Sequence, residues 1–456
     1  MSSPSPPPLR TFFASSSSSS ATAVGATDMK DPRQLAFETL LKLRKNQSYS
    51  NLSIAGVLGS SDLSGADKSF FTTLVYGVLE RKLTLDYNLS LYLKEPLKKL
   101  NPKVYTAMLL GAYQVLFLEK VPDHAAINEA VKLTRKNGAG FASGLCNAVL
   151  RKVASNGLCL PENDGSPEYW SVLYSVPVPL IRLWIDAYGP EKTEGILKDA
   201  LGPRPLTVRV NTTRTTTEEL IARLNEEGVT AVPHEAVGDA LVLTSAGDLA
   251  ALPSFRDGLF HVQDAASQLC CQNVAAGPGM TVYDLCAAPG GKSCTLAEYM
   301  QNDGVVRAYD LYEKRVGLIA ENAERLGLSI VEPAVGDATG FDPERPLADR
   351  VLCDVPCAGY GDIGRKPEIR FKDPGSVDNL PALQYDILDK AEQYVVDGGR
   401  LVYSTCSLNP AENEAVAERF LEEHDGWNLV LMKTYFPQDY HCDGFFNAVF
   451  EKAGEQ

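Results

Sequence analysis

Apolar residues recur at helical spacing through the first third of the chain: Leu35, Ala36, Leu40, Leu41 and Leu43, then Phe70, Leu74, Val75, Val78 and Leu79, then Met108, Leu109, Ala112, Tyr113 and Leu116. Steps of three and four put such residues on one stripe of an α-helix, and that stripe must be buried against a neighbour. Asp123 stands ahead of a helical stretch over 125–135 as its expected N-cap, and Ala148, Val149 and Leu150 close another helix. Strand-like alternation is scarce, so residues 29–160 read as an all-α domain. A stretch rich in Pro, Gly, Asp and Asn over 161–167 marks a linker. Beyond it, residues 206–210 and 240–244 alternate as strands, and 217–227 read as a helix with Thr216 or Thr217 near its cap. Two strands flanking one helix predict a small α+β module within 165–262.

From Gln263 onward the pattern changes again. Short apolar strands are expected over 281–285, 305–309, 330–335, 350–353 and 400–404, with helices over 293–300 and 314–326 between the first of them. Alternation of this kind builds an open parallel sheet covered by helices, a Rossmann-like α/β domain over 263–456. Residues 427–431 and 445–450 would add late antiparallel strands at its edge.

Charge divides the chain in the same way. The 456 residues carry a net charge of −15, which argues against a nucleic-acid partner until the parts are counted separately. Residues 29–160 hold 18 Lys+Arg against 10 Asp+Glu, and residues 161–456 hold 24 against 47. A basic helical domain suits phosphate, and the acidic remainder suits another task. The Lys/Arg pairs at 81–82, 98–99 and 135–136 are the candidate phosphate contacts. No apolar run approaches the roughly 20 residues that span a bilayer. The ten cysteines show no zinc spacing and no disulfide framework, so a reducing compartment, no metal and no membrane are expected. Residues 1–28, rich in Ser, Pro and Ala, read as a disordered tail. A cytoplasmic location follows, with organellar import through that tail as the alternative.

Three motifs carry chemistry. The first is Cys286-Ala287-Ala288-Pro289-Gly290-Gly291-Lys292, between a strand and a helix. Its glycines permit a tight turn and close approach of backbone to a ligand, and the helix start offers N–H groups. Alone, this turn suits a nicotinamide dinucleotide and S-adenosylmethionine equally. Asp310, Asp337 and Asp354 at later strand ends break the tie. Three carboxylates along the ligand-binding edge of a sheet would repel a pyrophosphate and accept a nucleoside bearing a sulfonium. The second and third motifs, Cys353-Asp354-Val355-Pro356-Cys357-Ala358-Gly359-Tyr360-Gly361 and Tyr403-Ser404-Thr405-Cys406-Ser407, each set a cysteine just past a strand end. Cytosine C5 is too electron-poor to attack a methyl sulfonium. A thiolate adding at C6, with a proton delivered to N3, makes C5 nucleophilic. That chemistry needs a thiol, a nearby acid and a methyl donor. Cys146, Cys159, Cys270, Cys271 and Cys294 read instead as inert packing.

Taken together and in this order, the three motifs resemble the RNA cytosine-C5 methyltransferases that carry two cysteines. The stretches 121–130 (VPDHAAINEA) and 145–151 (LCNAVLR) look like the RNA-binding fold of the antitermination factor NusB, and 443–452 (DGFFNAVFEK) looks like a C-terminal strand of the same enzymes. The pairing resembles the bacterial 16S rRNA cytosine-C5 methyltransferases of the RsmB/Sun type. The resemblance implies three parts: a NusB-like domain, a ferredoxin- or RRM-like module and a class I methyltransferase domain. It implies a monomer acting on rRNA with S-adenosylmethionine. Cys286 to Lys292 would wrap the methionine end and ribose of the cofactor, Asp310 would take the ribose hydroxyls, and Asp337 the adenine amino group. Asp354 would sit near methyl donor and base, Cys406 would be the nucleophile, Cys357 would assist release of the adduct, and Lys292 would help position thiol or base. The sequence departs from the family in reading DVPCAG for DAPCSG, and PEIRF over 367–371 where a PD[IL][KR]W-like segment is usual. Substrate contacts there would involve Glu368 and Arg370.

Two rivals differ in testable ways. A mechanism of the DNA cytosine-C5 methyltransferase type would make Cys357, in its Pro-Cys loop, the nucleophile. A non-catalytic RNA-binding protein would leave the α/β domain inert and would not bind S-adenosylmethionine. A tRNA substrate is compatible with the same cysteine chemistry.

Overall fold

The computed structural model describes residues 31–46, 50–202, 204–244, 247–372 and 377–454. The tail expected over 1–28 lies outside them. The chain divides into two compact units, one of residues 31–202 with Ile363–Lys372, the other of the remainder from Arg204 onward.

The first unit is helical. Among the described residues it holds α1 (Pro32–Asn46), α2 (Ser50–Ser60), α3 (Gly65–Glu80), α4 (Lys82–Ser90), α5 (Pro102–Phe117), α6 (Asp123–Lys136), α7 (Ser143–Asn156), α8 (Pro167–Tyr174) and α9 (Val178–Asp199). The helix starts follow from capping chemistry. Ser64 accepts from the Asp67 N–H ahead of α3, and Asn101 caps α5 with Pro102 in the first turn, where a missing N–H costs nothing. Asp123 is not a cap. Pro122 holds that position and Asp123 is the first helical residue of α6, where its charge still faces the positive helix end. The apolar stripes meet in one core that includes Phe71, Leu74, Met108, Leu110 and Leu150. Close approach of α3 to α5 depends on Gly77, since a Cβ there would fall 2.0 Å from the Tyr113 ring.

The same unit takes in the short helical turn Pro367–Phe371, and Arg370 is only 3% exposed there. Its Nη1 donates to the main-chain oxygens of Glu80 (3.2 Å), Ser175 (3.0 Å) and Tyr174 (3.5 Å), and its Nη2 to those of Ala200 (3.2 Å) and Ile363 (3.0 Å). The substrate contact expected of Arg370 is thereby replaced by a structural one. Arg81 is likewise withdrawn from the phosphate contacts: it is 7% exposed, beside Glu80 and over the Phe117 ring, and Lys82 pairs with Asp86. Lys98, Lys99, Arg135 and Lys136 remain exposed.

The second unit begins with a four-stranded antiparallel sheet in the order β2 (Thr230–Pro233), β3 (Ala240–Thr244), β1 (Leu206–Val210), β4 (Phe260–Val262). Helix α10 (Thr217–Glu226), followed later in the module by the short α11 (Pro253–Arg256), is fixed by a reciprocal capping box between Thr216 and Glu219 and packs with Val208, Val210 and Phe260. The module is ferredoxin-like and has two more strands than the sequence pattern predicted.

The larger sheet contains β5 (Thr281–Asp284), β6 (Val305–Asp310), β7 (Val331–Val335), β8 (Ala348–Asp354), β9 (Val395–Thr405), β10 (Trp427–Tyr435) and β11 (Phe445–Lys452), in the order β10-β11-β9-β8-β5-β6-β7. Strands β5 to β9 run parallel, and β10 and β11 are antiparallel at one edge. The alternation of side chains decides which layer each strand residue joins. Val282 and Val402 face the core under α12 (Ala265–Val274), α13 (Gly291–Tyr299) and α14 (Glu313–Leu326), while Tyr283 and Tyr403 face the core under α15 (Leu380–Ala391) and α16 (Glu414–Glu423). Strand order reverses between β5 and β8, which opens a crevice at their carboxyl ends, the place where such sheets bind ligands. Among the described residues no helix is long and apolar enough to cross a membrane.

Candidate active site

The loop after β5 is shaped by its glycines. Gly290 adopts φ 99° at the start of α13, and a Cβ there would lie 3.0 Å from the Ile319 Cα, so that side of the turn is closed against α14. The Ala287 N–H donates to Tyr309 O at 2.8 Å and the Gly290 N–H to Ala287 O at 2.7 Å, and no side chain caps α13. Arg315 and Asn322 bind the carbonyls of Ala288 and Pro289 from outside. The loop then has one open face. It borders a cavity of about 210 Å³ lined by Cys286, Ala287, Ala288, Pro289, Gly291, Lys292 and Asp354. Val262, Gln263, Asp264, Ser267 and Asp284 complete the lining.

Lys292 and Asp354 meet at this cavity with Nζ 2.6 Å from Oδ2, and Lys292 Nζ also reaches Ser267 Oγ at 3.3 Å. Burial disfavours the ammonium, yet the Asp354 carboxylate outweighs it and holds Lys292 above the ordinary lysine range. The other oxygen of Asp354 accepts from Ser404 Oγ at 2.9 Å, which ties the end of β8 to β9. Asp284, at the end of β5, is fully buried. Its Oδ2 accepts from Ser293 Oγ at 2.7 Å, and its Oδ1 has no hydrogen-bond partner. Burial pushes this carboxyl up to about 7, against the pull of Ser293. Burial, then the charges of Asp284, Asp354 and Asp310, raise the Cys286 thiol, which suits a wall rather than a nucleophile.

Cys357 and Cys406, from the loops after β8 and β9, come together with their sulfurs 3.0 Å apart. Both thiols are free and partly exposed. Their loops are joined by main-chain bonds: Val355 N–H to Ser404 O at 3.1 Å and Gly361 N–H to Cys406 O at 3.0 Å. The Cys357 thiol is raised well above its ordinary range by its hydrogen bond to Cys406, then by burial and nearby negative charge.

Asp310 and Asp337 are placed differently. Asp310 is nearly buried at the end of β6, where Oδ1 accepts from the Tyr312 N–H and Oδ2 lies 3.4 Å from Arg315 Nη1. Asp337 is exposed after β7. Its Oδ1 accepts from both the Oγ1 and the N–H of Thr339, and these bonds hold the carboxyl below its usual range. Neither lines the cavity. Of the polar lining, Gln263, Asp264, Ser267 and Asp284 escaped the sequence reading, as did the supporting Glu412. Asp284 could have been found as the acid that opens the Gly-rich stretch. Ser267 looks like an ordinary first-turn residue of α12, and Glu412 like a charge before a helix.

The 16S rRNA methyltransferase RsmB/F family matches residues 272–451, the NusB family residues 30–155, and the ferredoxin-like domain of RsmF/B-type methyltransferases residues 176–250. The chain is 36% identical over 445 residues to the probable ribosomal RNA small subunit methyltransferase B of Bacillus subtilis (strain 168), covering 92% of this chain and 99% of that protein. It is 33% identical over 395 residues to ribosomal RNA small subunit methyltransferase B of Vibrio cholerae, covering 85% of this chain and 90% of that one. Among solved structures, that of PH0851 superposes with a TM-score of 0.78 at 26% identity, covering 92% of this chain and 99% of the other.

Proposed function

Because this chain belongs to the RsmB/F family of S-adenosylmethionine-dependent rRNA methyltransferases, we propose that its acceptor is C5 of a cytosine in small-subunit rRNA and that Cys406 is its nucleophile. The observation that carries the reading is the meeting of two free cysteines, 3.0 Å apart, on loops hydrogen-bonded to a strand end whose Asp354 borders the cavity. The cavity suits a cationic nucleoside: it offers the open side of a glycine turn and a buried carboxylate, Asp284, with one oxygen unpartnered. Cys286 to Lys292 would hold the methionine end and ribose, with Asp310 and Asp337 toward ribose and adenine. When bound, S-adenosylmethionine supplies the electrophilic methyl group.

The protein's own groups supply the rest. The Cys406 sulfur, as thiolate, adds to C6 of the base, and N3 takes up a proton through Asp354, supplied by the Lys292 ammonium 2.6 Å from it, so the electron pair of the C5–C6 bond becomes available at C5. Lys292 keeps Asp354 oriented and balances its charge before it takes part. After C5 is methylated, loss of its proton and expulsion of the Cys406 thiolate restore the aromatic ring. Cys357, a protonated thiol beside that sulfur, assists the departure. The three segments would divide the labour: 29–160 grips RNA phosphate, 165–262 supports the substrate, and 263–456 performs the chemistry.

Replacing each cysteine separately tests the assignment. Cys406→Ala should abolish both turnover and covalent trapping on 5-fluorocytosine RNA, a loss of roughly 10⁴-fold or more, as when a covalent nucleophile is removed. Cys357→Ala should still trap, and should accumulate adduct with ordinary RNA. The reverse pattern would make Cys357 the attacking group.

A further inference from the structure

The side chain of Glu412, just beyond the Cys406 loop, is fully buried. Its Oε2 accepts from the Ala358 N–H at 2.8 Å and from Gln384 Nε2 at 3.0 Å, and its Oε1 accepts from Ser407 Oγ at 2.8 Å and from Asn409 Nδ2 at 3.1 Å. Ala358 follows Cys357, and Ser407 follows Cys406. One carboxylate thus joins the two cysteine loops, each at the residue after its sulfur. Gln384 Nε2 also donates to Pro356 O at 2.9 Å, so the first loop is held on both sides of Cys357. Asn413 does similar service for the second, accepting from Thr405 Oγ1 and donating to Ser407 O at 2.9 Å.

We propose that Glu412 is a positioning residue of the methyl-transfer reaction: by tying the main chain beside Cys357 to the side chain beside Cys406, it fixes the separation of the two sulfurs so that both act on one pyrimidine ring. The inference rests on the two-cysteine reading above. A carboxylate in this interior is tolerable only with its lone pairs filled, and four donors from three chain segments fill them. An apolar residue of the same volume would take away the acceptor that the Ala358 N–H, Gln384, Ser407 and Asn409 share. The charge has a second effect. The groups that raise the Cys357 thiol are Cys406, Glu412 and Asp354, and Tyr403 also faces it. Cys357 therefore keeps its proton, the form in which it can donate to the Cys406 sulfur.

Glu412→Gln and Glu412→Ala in the full chain separate geometry from charge. Glutamine can keep one oxygen on the Ala358 N–H and turn its amide toward Ser407 Oγ, which can accept. Alanine loses both ties. With Glu412→Ala, the rate of adduct formation on 5-fluorocytosine RNA should fall about 100-fold, as expected for reacting groups displaced by about 1 Å, whereas Glu412→Gln should stay within about tenfold of the parent. S-adenosylmethionine affinity by calorimetry should be unchanged in both. Iodoacetamide labelling of Cys357, followed by mass spectrometry, should begin at lower pH in both variants, because a negative charge has gone. Should the alanine variant be poorly folded, the glutamine variant decides through its labelling profile. Adduct formation at the parent rate in Glu412→Ala, a Cys357 labelling profile that does not move in Glu412→Gln, or cofactor affinity lost in parallel with trapping would each overturn the proposal. Trapping of the parent enzyme through Cys357 would instead overturn the assignment of the nucleophile, and the ratio of variant to parent rates would still measure the clamp.

Discussion

Arg370 in the helical unit and Lys292 in the methyltransferase domain are both cations drawn in from solvent, and they are bound in opposite ways. Arg370 faces five main-chain oxygens. A guanidinium whose two Nη groups are spent on main-chain carbonyls, away from any cavity, is held as part of the fold. Lys292 has Asp354 and Ser267 as its side-chain partners and borders a cavity. A cation with capacity to spare beside empty space can meet a ligand. Burial alone therefore does not separate a structural charge from a functional one. Whether it borders open space does.

The sharpest way to break this comparison is to remove the two cations in turn. Lys292→Met should lower kcat by roughly 10²–10³-fold, the range of a lost acid–base partner. Its melting temperature should move by less than about 3 °C, because Asp354 keeps Ser404 and the cavity. A large loss of stability without loss of rate would make Lys292 structural after all. Arg370→Met should do the opposite: about 2–4 kcal/mol of stability lost, from carbonyls left buried without a donor, with kcat of the folded enzyme within about twofold of the parent. Denaturant unfolding alongside initial rates would check both.

A smaller effect sharpens the electrostatic side. Burial raises the Asp284 carboxyl from the ordinary 3.8 to about 7, so the folded state holds this proton more tightly than the unfolded chain does. Its contribution to stability is full below about pH 4 and disappears as the pH rises to about 7. Asp284→Asn, which can still accept from Ser293, should lack that decline. The difference between parent and variant should grow across the interval, read from melting curves at several pH values. Parallel pH profiles would show that Asp284 is not the group concerned.

Periodicity disclosed the elements that are long or strictly patterned. Strands β1 and β3 lie where alternation put them, and the parallel order of the sheet follows from strand–helix alternation. Strands β2 and β4 were missed because four and three residues are too few to show a period, and β2 ends on Pro233 at a sheet edge. Local signals also misjudged Arg370, since a Pro-Glu-Ile-Arg-Phe stretch does not announce that its guanidinium will gather carbonyls from Glu80 and Ala200. The site was legible as loops and not as a network. The cysteines, the glycine turn and the strand-end acids stand out because their chemistry is unusual in loops. Glu412, Gln384 and Ser404 do not, because their meaning comes from which main-chain groups they reach, and those are far away in sequence.

The guanidinium of Arg370 also has a consequence for how the chain comes off the ribosome. Its carbonyl partners at Glu80, Tyr174, Ser175 and Ala200 are synthesised long before it. The nascent helical unit must therefore wait, with these groups hydrated or loosely paired, until residues 363–372 emerge and close it. A gene fragment ending near residue 202 would make a unit that never receives its closing segment.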